Sequence, residues 1–188
     1  MESMYRMKTD TQAKAFSAPD DTAASRPAAN GRRIQVRGES GGRRIQVRRS
    51  GIHGKGVFAL RPLAKGETVI EYTGEVITWK VALRRHPHDP KDPNHTFYFH
   101  IDDKHVIDAK HGGNASRWIN HACSPNCEAD EDGGRVFIKT LRAIAPGSEL
   151  FYDYGLAIDE RYTPALKKQY ACRCGTRGCR GTLLAPKR

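Results

Sequence analysis

The chain has no long apolar run. Nothing in its 188 residues approaches the roughly 18 consecutive apolar residues that span a bilayer, so no membrane association is expected. The opening residues, MESMYRMKTD, mix both charges and hold no apolar stretch, so a secretory signal peptide is not expected either. The expectation is a protein made in a cytoplasm, with export by a dedicated secretion machine left open. Cysteine is sparse and odd in number: five residues, three of them crowded between 172 and 179. Cys172 and Cys174 are too close for a comfortable disulfide, and without an export signal such crowding favours a metal. Acidic residues are absent from 161–188, which carries eight Lys/Arg.

What is present divides by charge. Residues 1–50 carry a net charge of +6 and 161–188 a net charge of +8, whereas 51–160 carry −3. Solvated tails would explain this. So would basic ends that hold a polyanion such as DNA or chromatin, around a body that receives a basic peptide. At this length one compact domain plus a tail is expected.

Residues 1–31 are rich in Ala, Ser, Asp and Thr and show no sustained period, which reads as disorder. GRRIQVR then occurs twice, at 31–37 and 42–48, each copy alternating like a half-buried strand around a GESG linker. The copies either pair as a hairpin or leave one spare. The second adjoins the following glycine motif and is favoured for the core sheet. Beyond it, short strands are expected at Val57–Leu60, Thr68–Tyr72, Thr96–Ile101, His105–Asp108, Val136–Thr140 and Glu149–Tyr152. The best helix candidate is 78–86, followed by a Pro-rich loop at 86–95, and Asn114–Ile119 suits one helical turn. The fold class is mainly β.

Four stretches carry chemistry. GIHGKGVFA at 51–59 puts three glycines in a turn ahead of a strand, where backbone groups can approach a ligand. It lacks the spacing and the following helix of a phosphate cradle, which argues against a nucleoside triphosphate. RWINHACSPNC at 117–127 offers His121 beside Cys123, but two residues apart on an extended segment these do not converge on a substrate as a hydrolytic pair would. ELFYDYG at 149–155 puts two tyrosines on one face of a strand. CRCGTRGC at 172–179 presents three thiolates that want a fourth tetrahedral ligand.

In this order, from about Arg43 to Gly181, the four stretches resemble the SET-domain lysine methyltransferases with a zinc-binding post-SET tail. The resemblance implies a SET fold of short β-sheets with a knot-like C-terminal segment. It divides the chain into a disordered basic tail (1–42), a SET domain (43–160) and a post-SET segment (161–188). It implies S-adenosylmethionine as methyl donor, contacted by His53, Lys55, Gly56, Phe97, Arg117, Asn120 and His121. It implies Tyr154 at the methyl-transfer centre, with Tyr72 and Tyr152 lining the lysine channel. It implies one structural zinc on Cys123, Cys172, Cys174 and Cys179, leaving Cys127 as a core thiol. Trp118 stands in for a more common aromatic residue. Phe97 stands where many relatives place a cofactor-contacting tyrosine: either it packs on the cofactor or the register shifts by one.

The resemblance further implies a histone or histone-like substrate, and Tyr152 implies mainly monomethylation. No cysteine-rich pre-SET segment is present, so the build resembles compact bacterial or viral SET proteins. Action on host chromatin in a nucleus would then require export. A non-catalytic SET fold that binds peptide or nucleic acid is the rival, as is a basic zinc protein acting on nucleic acid. Intact Tyr154, Asn120 and His121 count against the first.

Overall fold

The computed structural model describes residues 5–7, 43–86 and 96–187. The expected disorder of 8–42, the first GRRIQVR copy and the Pro-rich loop from Pro87 to His95 lie outside these residues. Among the described residues no helix is long and apolar enough to cross a membrane.

Among the described residues twelve short strands make five small sheets. β1 (Tyr5–Met7) pairs with β12 (Leu156–Ile158), although composition places Tyr5–Met7 in a structureless tail. β2 (Ile45–Arg49), the second repeat copy, pairs antiparallel with β3 (Lys55–Ala59). Ile45 and Val47 turn inward and Gln46 and Arg48 outward, as the alternation predicts. β4 (Thr68–Tyr72), β10 (Arg135–Thr140) and β9 (Cys127–Asp132) form one three-stranded sheet, with β10 central. β5 (Glu75–Thr78), β7 (His105–Asp108) and β6 (Tyr98–His100) form another, with β7 central. The last pair is β8 (Asn120–His121) with β11 (Phe151–Tyr152), and it is parallel.

β9 and β10 are joined through Gly133 and Gly134, whose φ angles of 58° and 79° suit the tight turn that matches strand twist. Helix α1 (Trp79–Arg85) starts where Thr78 accepts a hydrogen bond from the Val81 amide, and buries Ala82. Its last residue, Arg85, bonds both Glu75 and the fully buried Asp108, tying the helix to the sheet beneath. Ala115–Trp118 is a 3₁₀ turn capped by Asn114. Helix α2 (Pro164–Gln169), with proline in its first turn and Thr163 as cap, was not foreseen from the sequence.

The main core gathers Val57, Val136, Ile138, Tyr72 and Tyr152 from three sheets, with Leu150 from the segment just before β11. A second cluster joins Leu156 and Ile158 of β12 to Tyr170 and Leu184, so the basic C-terminal segment shares apolar packing with the strand that follows Tyr154.

Candidate active site

The glycine turn is held from beneath. Gly54 has φ +45°, a conformation that L side chains rarely adopt. The Asn120 side chain donates to the backbone carbonyls of Lys55 (2.9 Å) and His53 (3.3 Å) and to Glu149 (3.0 Å). Ser50 donates to the other Glu149 oxygen at 3.1 Å. A Cβ on Gly56 would meet Glu149 Oε1 at 2.0 Å, so glycine there makes room for this carboxylate.

Beside the turn lies a cavity of about 580 Å³, within the range that takes a nucleoside-sized ligand. His53, Lys55, Phe97, Arg117, Asn120 and His121 all line it. Gly56 does not; it is buried behind the wall. The Lys55 ammonium sits 4.5 Å from the Trp118 ring centroid, and Arg117 stacks on Trp118 and Phe97. Arg117 spends one nitrogen on the Ala109 carbonyl, while its buried Nε has no partner among the described residues. A ligand bearing a carboxylate suits these two cations, and one bearing a purine suits the aromatic wall. Phe97 faces the cavity, whereas Tyr98 points away and donates to the Ala82 carbonyl of α1 at 3.1 Å.

A second, smaller cavity of about 70 Å³ lies on the other side of Tyr154, lined mainly by apolar atoms of Trp79, Ala82, Tyr98, Leu156 and Tyr170. Tyr154, Thr96 and Leu183 line both cavities. The Tyr154 hydroxyl donates to the Ile119 carbonyl at 3.0 Å, and its ring lies 4.9 Å from that of Tyr152. Tyr152 and Tyr72 line neither cavity; they stand behind Tyr154 in the core, Tyr72 donating to the Phe97 carbonyl at 3.1 Å. Burial pushes all three phenols above their ordinary range, so they act as neutral hydrogen-bonding groups, not bases.

The parallel β8–β11 pairing sets Tyr152 opposite His121 and brings the C-terminal segment across the NH segment. Asn126 grips that crossing, donating to the Glu149 carbonyl and accepting from the Phe151 amide, both at 2.8 Å. His121 accepts from the Tyr154 amide at Nδ1 (3.2 Å), which assigns the proton to Nε2, 3.3 Å from the Cys123 sulfur. Burial lowers its pKa to about 4 against the opposing pull of Asp153, so the ring is neutral and its 3.4 Å approach to Asp153 is not an ion pair. Asp153 instead takes a two-pronged bond from Arg180 at 2.5 and 2.9 Å.

Cys123, Cys172, Cys174 and Cys179 converge, with all four sulfurs within 4.8 Å of one another. Cys123 lies 3.7 Å from Cys172 and 4.0 Å from Cys179. A tetrahedral site with metal–sulfur bonds of about 2.3 Å needs sulfurs about 3.8 Å apart, whereas a disulfide needs about 2.05 Å, so the cluster fits a metal. Backbone amides of Cys174, Arg180 and Gly181 point at the sulfurs of Cys172, Cys123 and Cys179. At Cys174 burial opposes ionisation, yet hydrogen bonds from the Cys123 backbone and from Thr176 bring the thiol down to about 6. Burial raises Cys172 and Cys123, so further thiolates form at a cost that a cation offsets. Cys127 is fully buried, and burial pushes its thiol up to about 12.

Glu149, Asn126, Asp153 and Arg180 carry this architecture, and none is a site residue in the sequence reading. Glu149 and Asp153 sit inside the ELFYDYG stretch, but their partners are far away in sequence. Lys168, Gln169 and Arg173 also line the larger cavity and had no sequence signal beyond their charge and polarity.

Fold and site define a small β domain with two cavities meeting at a tyrosine and a thiolate cluster at its edge. The chain belongs to the SET-domain family, whose model matches residues 54–155. It is 38% identical over 140 residues to histone-lysine N-methyltransferase SETD1 of Drosophila melanogaster, covering 72% of this chain and 8% of that protein. It is 41% identical over 140 residues to the H3 lysine-4 specific histone-lysine N-methyltransferase of Candida albicans, covering 72% and 13%. Against SETD1A of Homo sapiens the identity is 36%, covering 72% and 8%. The chain thus spans only 8% to 13% of the length of these relatives.

Proposed function

We propose that this domain moves a methyl group from S-adenosylmethionine to the ε-amine of a lysine in a histone or histone-like protein, mainly once. The observation that carries the reading is Tyr154 in the wall common to a nucleoside-sized cavity and a narrow apolar one. His53, Lys55, Phe97, Arg117, Asn120 and His121 would hold the donor, which supplies an electrophilic methyl group on a sulfonium. The chain's part is placement. A free lysine titrates near 10.4, so exposing a neutral amine at neutral pH costs roughly 4–5 kcal/mol. An apolar channel disfavours the ammonium, and the aromatic wall leaves the stem few other poses. Zinc on the four cysteines would fix the tail that walls the donor cavity.

The donor reading is tested by melting. S-adenosylmethionine or its demethylated product at about 100 times Kd should add about 2.7 kcal/mol, or about 5–10 °C for a domain of this size. Asn120→Ala releases the carbonyls of His53 and Lys55 and should shrink that shift. No shift with either ligand on metal-loaded protein would sink the reading.

The basic ends are proposed to add DNA or chromatin affinity without adding chemistry. Protein is expected to be made in a cytoplasm and to act wherever chromatin is reached, a host nucleus included. Deleting residues 1–42 should flatten the salt dependence of nucleosome binding and leave activity on a free peptide. Equal salt slopes with and without the segment would remove this part.

A further inference from the structure

Glu149 ties separate stretches of the chain together through one residue. Its carboxylate accepts from the Asn120 side chain of β8 at 3.0 Å and from the Ser50 hydroxyl, just ahead of the glycine turn, at 3.1 Å. Its backbone lies against Phe58 of β3 in an isolated bridge. Gly56 leaves the room that the carboxylate fills, since a Cβ there would meet Glu149 Oε1 at 2.0 Å. Glu149 does not line the larger cavity, but Asn120, His53, Gly54 and Lys55 do. The carboxylate therefore stands behind that wall and holds two parts of it.

This grip fixes polarity as well as place. The three groups bonded to the Asn120 nitrogen are all pure acceptors: the carbonyls of His53 and Lys55 and the Glu149 carboxylate. The amide end facing them is therefore the NH2, and Oδ1 is what Asn120 can offer a ligand in the cavity. Among the described residues that line this cavity there is no aspartate or glutamate, whereas Lys55, Arg117, Lys168 and Arg173 are all there. An ammonium entering it must be met by neutral oxygens, and the His53 and Lys55 carbonyls already accept from Asn120. Resting on the methyltransferase reading, we propose that Glu149 is a positioning residue for the amino-acid head of the donor. It sets Asn120 Oδ1 to receive the head's ammonium, and it holds the turn that carries Lys55 toward the head's carboxylate. The purine end does not depend on it.

Calorimetry on the full chain with zinc compares two ligands. One is S-adenosylhomocysteine. The other is 5′-methylthioadenosine, which keeps the purine, ribose and thioether but lacks the amino-acid head. Glu149→Ala should weaken the first about tenfold or more and leave the second within about twofold, a contrast that general loosening of the fold would not give. In turnover the same variant should raise the donor's KM, with kcat and the peptide's KM little changed. Glu149→Gln, whose amide can still accept from Asn120 and donate to Ser50, should recover most of the loss. Gly56→Ala reaches the same contact from the other side and should reproduce it, and the double variant should lose no more than either single one. Equal weakening of both ligands, unchanged affinity, no recovery in Glu149→Gln, or additive losses in the double variant overturns the proposal and leaves the methyltransferase reading standing. Unaltered protein that binds neither ligand overturns that reading and the proposal with it.

Discussion

Cys179→Ser is expected to empty the thiolate cluster and detach the C-terminal segment while the β core survives. Elemental analysis should fall from about one zinc per chain to near none, because a structural site closes only with four ligands. Such sites contribute on the order of 10 kcal/mol to the fold they organise. Here that energy is spent locally. Tyr170 and Leu184 would still have Leu156 and Ile158 to pack on, but Cys172 and Cys174 would no longer be held against Cys123. Hydrogen exchange should rise through 161–187 and stay slow in β4, β9 and β10. Cys172, Cys174 and Leu183 wall the larger cavity, so the donor's melting shift should go with the metal. Cys127→Ser should keep the zinc, since that thiol lies in the core apart from the cluster. Zinc retained by Cys123→Ser would show that the fourth ligand is another residue.

Tyr154→Phe should lower methyl transfer by about a hundredfold or more, the usual cost of removing one oriented hydrogen-bonding group from a transition state. The ring would keep its place beside Tyr152 and His121 while the bond to the Ile119 carbonyl is lost. Tyr152→Phe should instead keep the first transfer and shift products toward di- and trimethyl-lysine. Tyr152 stands behind Tyr154, its ring 4.9 Å from that tyrosine, so the prediction is that its hydroxyl meets the lysine amine, directly or through a water, only when substrate occupies the site. Each added methyl must displace that partner, and a buried unpaired hydroxyl costs roughly 1–3 kcal/mol. That slows later transfers about ten- to a hundredfold. Because all three phenols are raised, the rate should climb with pH from neutrality as the substrate lysine loses its proton. Rapid trimethylation by the unmodified protein, read by mass spectrometry, would overturn the assignment of Tyr152.

Strands with apolar alternation were legible in the sequence. Thr68–Tyr72 and His105–Asp108 occur with the expected bounds, and α1 falls inside the expected 78–86. β9 was not seen because CEADED carries four acids in six residues, and an edge strand with one neighbour needs little apolar surface. The signal that would have found it is the Gly133–Gly134 pair before RVFIKT, a hairpin turn between two strands. β1 was read as part of a structureless tail because composition judges a segment alone, whereas Tyr5–Met7 is held by another strand's edge. The metal ligands were named through the family resemblance, since three clustered cysteines cannot say which distant thiol joins them. Glu149 and Asp153 remained silent for a related reason. A carboxylate's partner is a fact of three dimensions, and Asn120 and Arg180 lie 29 and 27 residues away.

The larger cavity draws its walls from both ends of the domain: His53 and Lys55 on one side, Cys172, Cys174 and Leu183 on the other. Contacts of such long sequence separation form late, after the loops between them have been closed. During synthesis the β2–β3 hairpin can pair as soon as it leaves the ribosome, but the site is incomplete until Leu183 has followed. A growing chain therefore carries a folded scaffold with no working centre, and stalled or truncated products should be inert rather than misdirected.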